Sequence, residues 1–177
     1  MNFIIVTLNK GSIQLLKKPQ DKHHIQIVQS CEKAIEILDR IVKKNKADDP
    51  GIRDYILLTE YSIPHDQGQL PDPYNSITLA MSAAHRHIGN VIIGLEKPSL
   101  PYINLKIEHL DKTSNKKGES WYVTKQIIKT NDSELETNIY YVQLPTTTKG
   151  VDEILLKPVA YDWPAIIALL EKKLKIG

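Results

Sequence analysis

The sequence predicts an α/β domain built on a parallel sheet, and three observations predict it. Four apolar runs, Phe3–Thr7, Ile25–Val28, Tyr55–Leu58 and Val91–Leu95, have strand length. Segments able to form helices separate them. The resulting order, β-α-β-α-β-α-β, calls for parallel strands with helices on both faces of the sheet.

Each element has its own reason. FIIVT (Phe3–Thr7) is apolar throughout, as a central strand buried on both faces must be. Gly11–Lys18 makes a short helix before Pro19. Ile25–Val28 alternates weakly and reads as an edge strand. Ser30 is a good N-cap for CEKAIEILDRIVKKNK, although Lys33 leaves only half a capping box. Ala34, Ile35, Leu38, Ile41 and Val42 repeat there at helical spacing, and Ala47–Gly51 (ADDPG) ends the helix by turn chemistry. Tyr55–Leu58 is the third strand. Leu70–Tyr74 holds two prolines and reads as loop. Ile77–Ile88 is a second amphipathic helix, with Ile77, Ala80, Met81, Ala84 and Ile88 on one face and Gly89-Asn90 as its cap. VIIGL (Val91–Leu95) is the fourth strand.

The rhythm then changes. Tyr102–His109, Trp121–Lys129 and Thr137–Leu144 read as three strands separated by polar turns. They are assigned to a β-rich insertion, residues 99–150, within a single domain spanning 1–177. Glu153–Leu156 is a last short strand running into Lys157-Pro158. Pro164 begins a final helix, PAIIALLEKKLKI, with lysines in its last turns where the helix dipole favours them.

Composition narrows the function classes. The chain has 177 residues, enough for one domain with a sizeable core, and its 41% apolar content is ordinary for a globular protein. The net charge of +2 gives no pointer to nucleic acid or an acidic membrane, and the longest apolar runs are too short to span a bilayer. The N-terminus lacks the basic region and cleavage site of a signal peptide. A single cysteine, Cys31, excludes an internal disulfide, so a reducing, cytoplasmic setting is expected.

Tyr55–Gly68, YILLTEYSIPHDQG, is the most informative stretch. An apolar strand ends in a carboxylate, and a proline and a glycine follow it. With its flanks it resembles the phosphoacceptor segment of a response-regulator receiver domain. That family shows an apolar strand, an Asp, three residues, a Pro and then a Gly. Pro64 and Gly68 fix the register, and Glu60 falls at the acceptor position. FIIVTLNKGSIQLLKK, HIQIVQSCEKAIEIL and DEILLKPVAYDWPAIIALLEKKL resemble the first, second and fifth strand–helix units, so the likeness covers more than half the chain. It implies a doubly wound, flavodoxin-like parallel sheet of five strands, receiver-like, with its site at the C-terminal strand ends.

The departures from the family bear on function. Receivers hold Mg2+ with an acidic pair after the first strand. Here those positions are Thr7 and Leu8, with Asn9 next, and Leu8 offers a hard cation no carboxylate oxygen. The switch Ser/Thr position is Gly94 or Leu95. Lys157 and Pro158 are kept at the switch site. Glu60 is already anionic and reaches further than Asp, so a direct pair with Lys157 is expected. The resemblance therefore implies a pseudo-receiver: a signal-transduction module working by protein–protein contact without phosphoryl transfer. Such a chain is not an enzyme and needs no metal or cofactor. Its partner is a histidine kinase, a regulator or an output domain, with no direct nucleic-acid or membrane contact and a homodimer left open. One alternative is a divergent but functional Mg2+-dependent phosphoacceptor. Another is a fragment of a nitrilase-like carbon–nitrogen hydrolase, which shares a strand-end Glu and a later Lys but needs a nucleophilic Cys that is missing after Lys157.

The remaining candidates have plain structural readings beside the functional ones. Cys31 begins a helix, where thiol pKa falls, yet a lone cysteine on an amphipathic helix is more often packing. His23, His24, His65, His85, His87 and His109 form no metal signature. Asp66 and Asp72 read as turn formers. Gly11 is isolated, without a phosphate-cradling loop. Trp121, Tyr122, Tyr140 and Tyr141 concentrate aromatics in the insertion and mark an interface or, equally, a satellite core. Lys112, Lys116 and Lys117 read as a solvated turn.

Overall fold

The computed structural model describes residues 1–8, 10–17, 19–44, 50–95, 108–114, 120–129, 136–143, 163, 164 and 166–168. Its strands are β1 (Asn2–Val6), β2 (His24–Val28), β3 (Tyr55–Glu60), β4 (Asn90–Leu95), β5 (Glu108–Ser114), β6 (Ser120–Lys129) and β7 (Glu136–Gln143). Its helices are α1 (Lys10–Leu15), α2 (Cys31–Lys44) and α3 (Pro73–His85), and residues 163, 164 and 166–168 are also helical. The α/β class is as expected. The sheet is mixed, with seven strands in the order β2-β1-β3-β4-β7-β6-β5.

The parallel part follows from the apolar runs. β1 pairs in parallel with β2 and β3, and β3 with β4. Phe3, Ile4, Ile5 and Val6 are all fully buried, because β1 is covered on both faces and flanked on both sides. Ile4, Val6, Leu57, Val91 and Ile93 face α2 and α3. Phe3, Ile5, Ile56, Leu58 and Ile92 face Leu16 and the helical residues Trp163, Ile166 and Ile167.

The strand count corrects the sequence reading. Five strands were expected, with three more set apart in an insertion. Instead β7 lies beside β4 in parallel register, from Asn90↔Asn138 to Leu95↔Gln143, and β6 and β5 extend the same sheet antiparallel. The physical reason lies in Ile139 and Tyr141 on one face and Tyr140 on the other, all buried within the two main cores. A strand apolar on both faces gains most beside a central strand. The expected last strand, Glu153–Leu156, lies outside the described residues.

Both longer helices deviate instructively. In α2 the buried set is Cys31, Ala34, Ile37, Leu38 and Ile41, close to expectation. Helix α3 starts earlier than expected: Asp72 accepts a hydrogen bond from Tyr74 N at 2.8 Å, and Pro73 occupies the first helical turn. Asp-Pro is thus an N-cap followed by the residue best suited to the first helical position. The buried face is Ser76, Leu79, Ala80, Ala83 and Ala84, so Met81, expected inside, is outside. The helix also ends at His85, before Gly89-Asn90. His87 takes the left-handed conformation at φ 61°, and Ile88 N donates back to Ala83 O at 3.1 Å. Across the helix pair, Arg86 Nε donates to Asp39 Oδ1 at 2.8 Å, tying the end of α3 to α2.

Burial of β7 has a pH consequence. Burial, helped by the neighbouring Tyr61, pushes the Tyr141 phenol up to about 12. Unfolded, a tyrosine releases its proton near pH ~10. The folded state therefore holds more protons above pH ~10, and stability falls as pH rises from there toward about 12. Burial also raises Tyr140, in the same direction. Urea midpoints measured at pH 8, 10 and 11, taken as approximate sampling points of that window, are expected to drop progressively. Tyr141→Phe should flatten the decline; an unchanged slope would show that this phenol does not set it.

Candidate functional site

The site lies at the C-terminal ends of β1 and β3, where parallel register aligns Val6 with Thr59. The next residues, Thr7 and Glu60, therefore meet. Glu60 ends β3 opposite Gly94 of β4, which carries no side chain to compete for the space. Its side chain is buried, at 6% exposure, and Thr7 is fully buried. Glu60 Oε1 accepts hydrogen bonds from Thr7 Oγ1 and, at 3.2 Å, from Leu8 N. Backbone bonds fix the surroundings: Thr7 N donates to Val28 O at 3.1 Å, and Tyr61 N to Gly94 O at 3.0 Å. The carboxylate is thus held across the strand ends by donors from the first strand's exit. Charge-assisted bonds of this kind are the strong ones.

The loop after β3 packs on the start of α2. Cys31 N donates to Pro64 O and Glu32 N to His65 O, each at 2.9 Å, so two of the helix's orphan N–H groups are satisfied by this loop. Ser30 Oγ accepts from Lys33 N at 3.3 Å, the cap expected from the sequence. Ile63 O accepts from Asp72 N at 3.0 Å and from Asn75 Nδ2 at 2.9 Å, closing the other end. Gly68 turns the loop at φ 89°, a left-handed conformation that glycine adopts without penalty. Asn75 carried no recognisable signal in the sequence. Asp72 did, in the Asp-Pro pair.

This docking sets the charges around Cys31. Glu32 and Asp66 approach each other, and their mutual hydrogen bond raises the Glu32 carboxyl. The same bond, with His65 beside it, lowers Asp66. His65 Nδ1 lies 3.2 Å from Asp66 Oδ2. The buried Cys31 thiol is raised by burial and by Asp66, and its Sγ donates to Asn75 O at 3.7 Å. A protonated, buried thiol is the reverse of an activated nucleophile, so the packing reading of Cys31 holds.

Several expected residues are not gathered here. Of the two readings left open for Tyr140 and Tyr141, interface or core, their burial at 7% and 4% exposure fits the core. The side chains of Trp121 and Tyr122, and the whole of Lys157 and Pro158, lie outside the described residues, so the expected Glu60–Lys157 pair lies there too. His85 sits on α3 and His87 beyond its end, so they share no helical face. Among the described residues no three His, Cys, Asp or Glu side chains cluster as metal ligands, and no helix is long and apolar enough to cross a membrane. Comparison with known proteins found no matching family model, curated protein or solved structure.

Proposed function

We propose that this chain is a phosphorylation-independent signal-transduction module. It is receiver-like, with a doubly wound, flavodoxin-like sheet, and acts by contact with a protein partner such as a histidine kinase, a regulator or an output domain. The observation that carries the reading is the direction of the bonds at Glu60. Thr7 and Leu8, the positions at which a receiver would ligate Mg2+, both donate hydrogen bonds to the carboxylate. A hard cation needs lone pairs directed at it; here hydrogens are directed inward instead. The site thereby holds one arrangement without phosphate. The order β2-β1-β3-β4 of the first four parallel strands supports the fold reading, since it is the flavodoxin-like order, while the fifth place is taken by β7, expected in the insertion, and β6 and β5 continue the sheet beyond it.

An amide-resolved NMR titration with Mg2+ and then beryllofluoride, a phosphoryl mimic, tests this. The expected result is no clustered shift at Thr7, Leu8, Glu60 or Gly94 in a well-folded sample. Saturable shifts there would establish the divergent phosphoacceptor instead.

A further inference from the structure

Helices α2 and α3 pack side by side on one face of the sheet, yet their outer surfaces differ in kind. Every exposed position of α2 is charged: Glu32, Lys33, Glu36, Arg40, Lys43 and Lys44. That is the ordinary solvent face of an amphipathic helix. The exposed positions of α3 are Tyr74, Thr78, Met81 and His85, and none is an acid, lysine or arginine. Tyr74 is 76% exposed, and Leu70, just before the helix, is 88% exposed. The chain is 25% charged, so a whole helix without one Asp, Glu, Lys or Arg departs sharply from its own composition.

The spacing of this ridge is 4-3-4. That is the spacing of a seam on which one helix packs against another. We propose that the α3 ridge is a homodimer interface, with α3 of a second copy packed antiparallel across a two-fold axis. Self-association is favoured over a foreign partner by the electrostatics. An uncharged ridge offers a charged partner no complement, whereas two copies meet without like-charge repulsion. The two-fold axis passes between Thr78 and Met81. It places Tyr74 of each copy against His85 of the other, hydroxyl to imidazole, and Thr78 against Met81. Tyrosine and methionine are the residue types interfaces enrich. One helix pair flanked by Leu70 is near the lower size limit of specific interfaces, about 1,000 Å2 in total. The dimer is therefore a weak one, governed by concentration, and it is independent of how the Glu60 site is read.

Sedimentation equilibrium over about 5 μM to about 0.5 mM, a range bracketing weak association, tests the proposal. The expected mass rises from the monomer's 20.1 kDa toward twice that value. Tyr74→Asp and Met81→Lys should each weaken association at least about tenfold, roughly 1.4 kcal/mol, with unchanged circular dichroism. A mixture of Thr78→Cys and Met81→Cys proteins should form an interchain disulfide on mild oxidation. A Lys33→Cys control on α2 should not, and the native Cys31 is buried and silent. A monomer throughout the range would overturn the proposal. So would a dimer unaffected by both ridge variants, or one cross-linked equally through the α2 control.

Discussion

Replacing Glu60 by alanine is expected to cost about 3 kcal/mol of folding stability, with most of the loss arising at Thr7 and Leu8 rather than at Glu60 itself. The variant removes an acceptor and leaves a fully buried hydroxyl and a backbone N–H without it. The stranded buried hydroxyl costs roughly 1–3 kcal/mol, the part-buried Leu8 N–H less, and the lost methylenes add to that. Against this stands relief from burying a carboxylate, which can offset much of what a buried charge contributes. The balance turns on whether the donors keep a partner, and that can be separated experimentally. Glu60→Gln keeps a carbonyl oxygen in place and should lose only about 1 kcal/mol, the difference between a charged and a neutral acceptor. Glu60→Asp keeps the charge but draws it back by one methylene, out of reach of both donors, so it should resemble alanine more than glutamine. Thr7→Val combined with Glu60→Ala should recover part of the loss, because one stranded donor is gone. Urea unfolding of the four variants gives the ranking. If alanine and glutamine behave like the parent, Glu60 is a passive strand-end carboxylate and the proposed fixed state has no physical support.

That bond was only half legible in the sequence. YILLTE showed that a buried strand ends in a carboxylate, and FIIVT showed a neighbouring buried strand, since both apolar runs exceed what an exposed strand tolerates. The donor role of Thr7 and Leu8 was not visible, because it depends on the register of β1 against β3, a long-range property. The same limit explains β7. Its alternation read as a strand, but local pattern says nothing about which strand it joins, and only the burial of Tyr140 and Tyr141 on opposite faces places it beside β4. Helix α3 failed for a different reason. Without a single Asp, Glu, Lys or Arg, it has no charged face from which to phase the buried one, so the sequence pattern points Met81 inward and passes over Leu79. Helix α2, whose outer face is entirely charged, was phased almost correctly. Local chemistry was therefore readable wherever a segment contrasts with itself, and unreadable where the contrast lies with a distant segment.

Trp163 supplies the strongest test of such a distant contact, and Trp163→Ala is expected to destabilise the fold by about 3–5 kcal/mol, the usual cost of truncating a buried large aromatic to alanine. The residue is fully buried and is the largest side chain in the second core. It packs in one cluster with Phe3 and Ile5 of β1, Ile56 of β3, Ile92 of β4 and Tyr140 of β7. These side chains come from four strands, so one truncation opens a cavity against most of the parallel sheet, and close-packed surroundings collapse only partly into it. Trp163→Phe retains an aromatic ring and should cost clearly less, about 1–2 kcal/mol, as a smaller cavity remains. The chain holds only two tryptophans, so the emission of a Trp121→Phe protein reports Trp163 alone. It should be blue-shifted when folded and move to the red on unfolding, together with the loss of helical circular dichroism. Coincident transitions would show that the helical residues 163, 164 and 166–168 and the sheet melt as one cooperative unit. An early red shift, or an alanine variant costing under about 0.5 kcal/mol, the range of an ordinary surface substitution, would mean that this helix rests on the sheet without holding it. The second core would then owe its stability to Leu16 and the strand side chains, and the face under Trp163 would be free to exchange its helix for another partner.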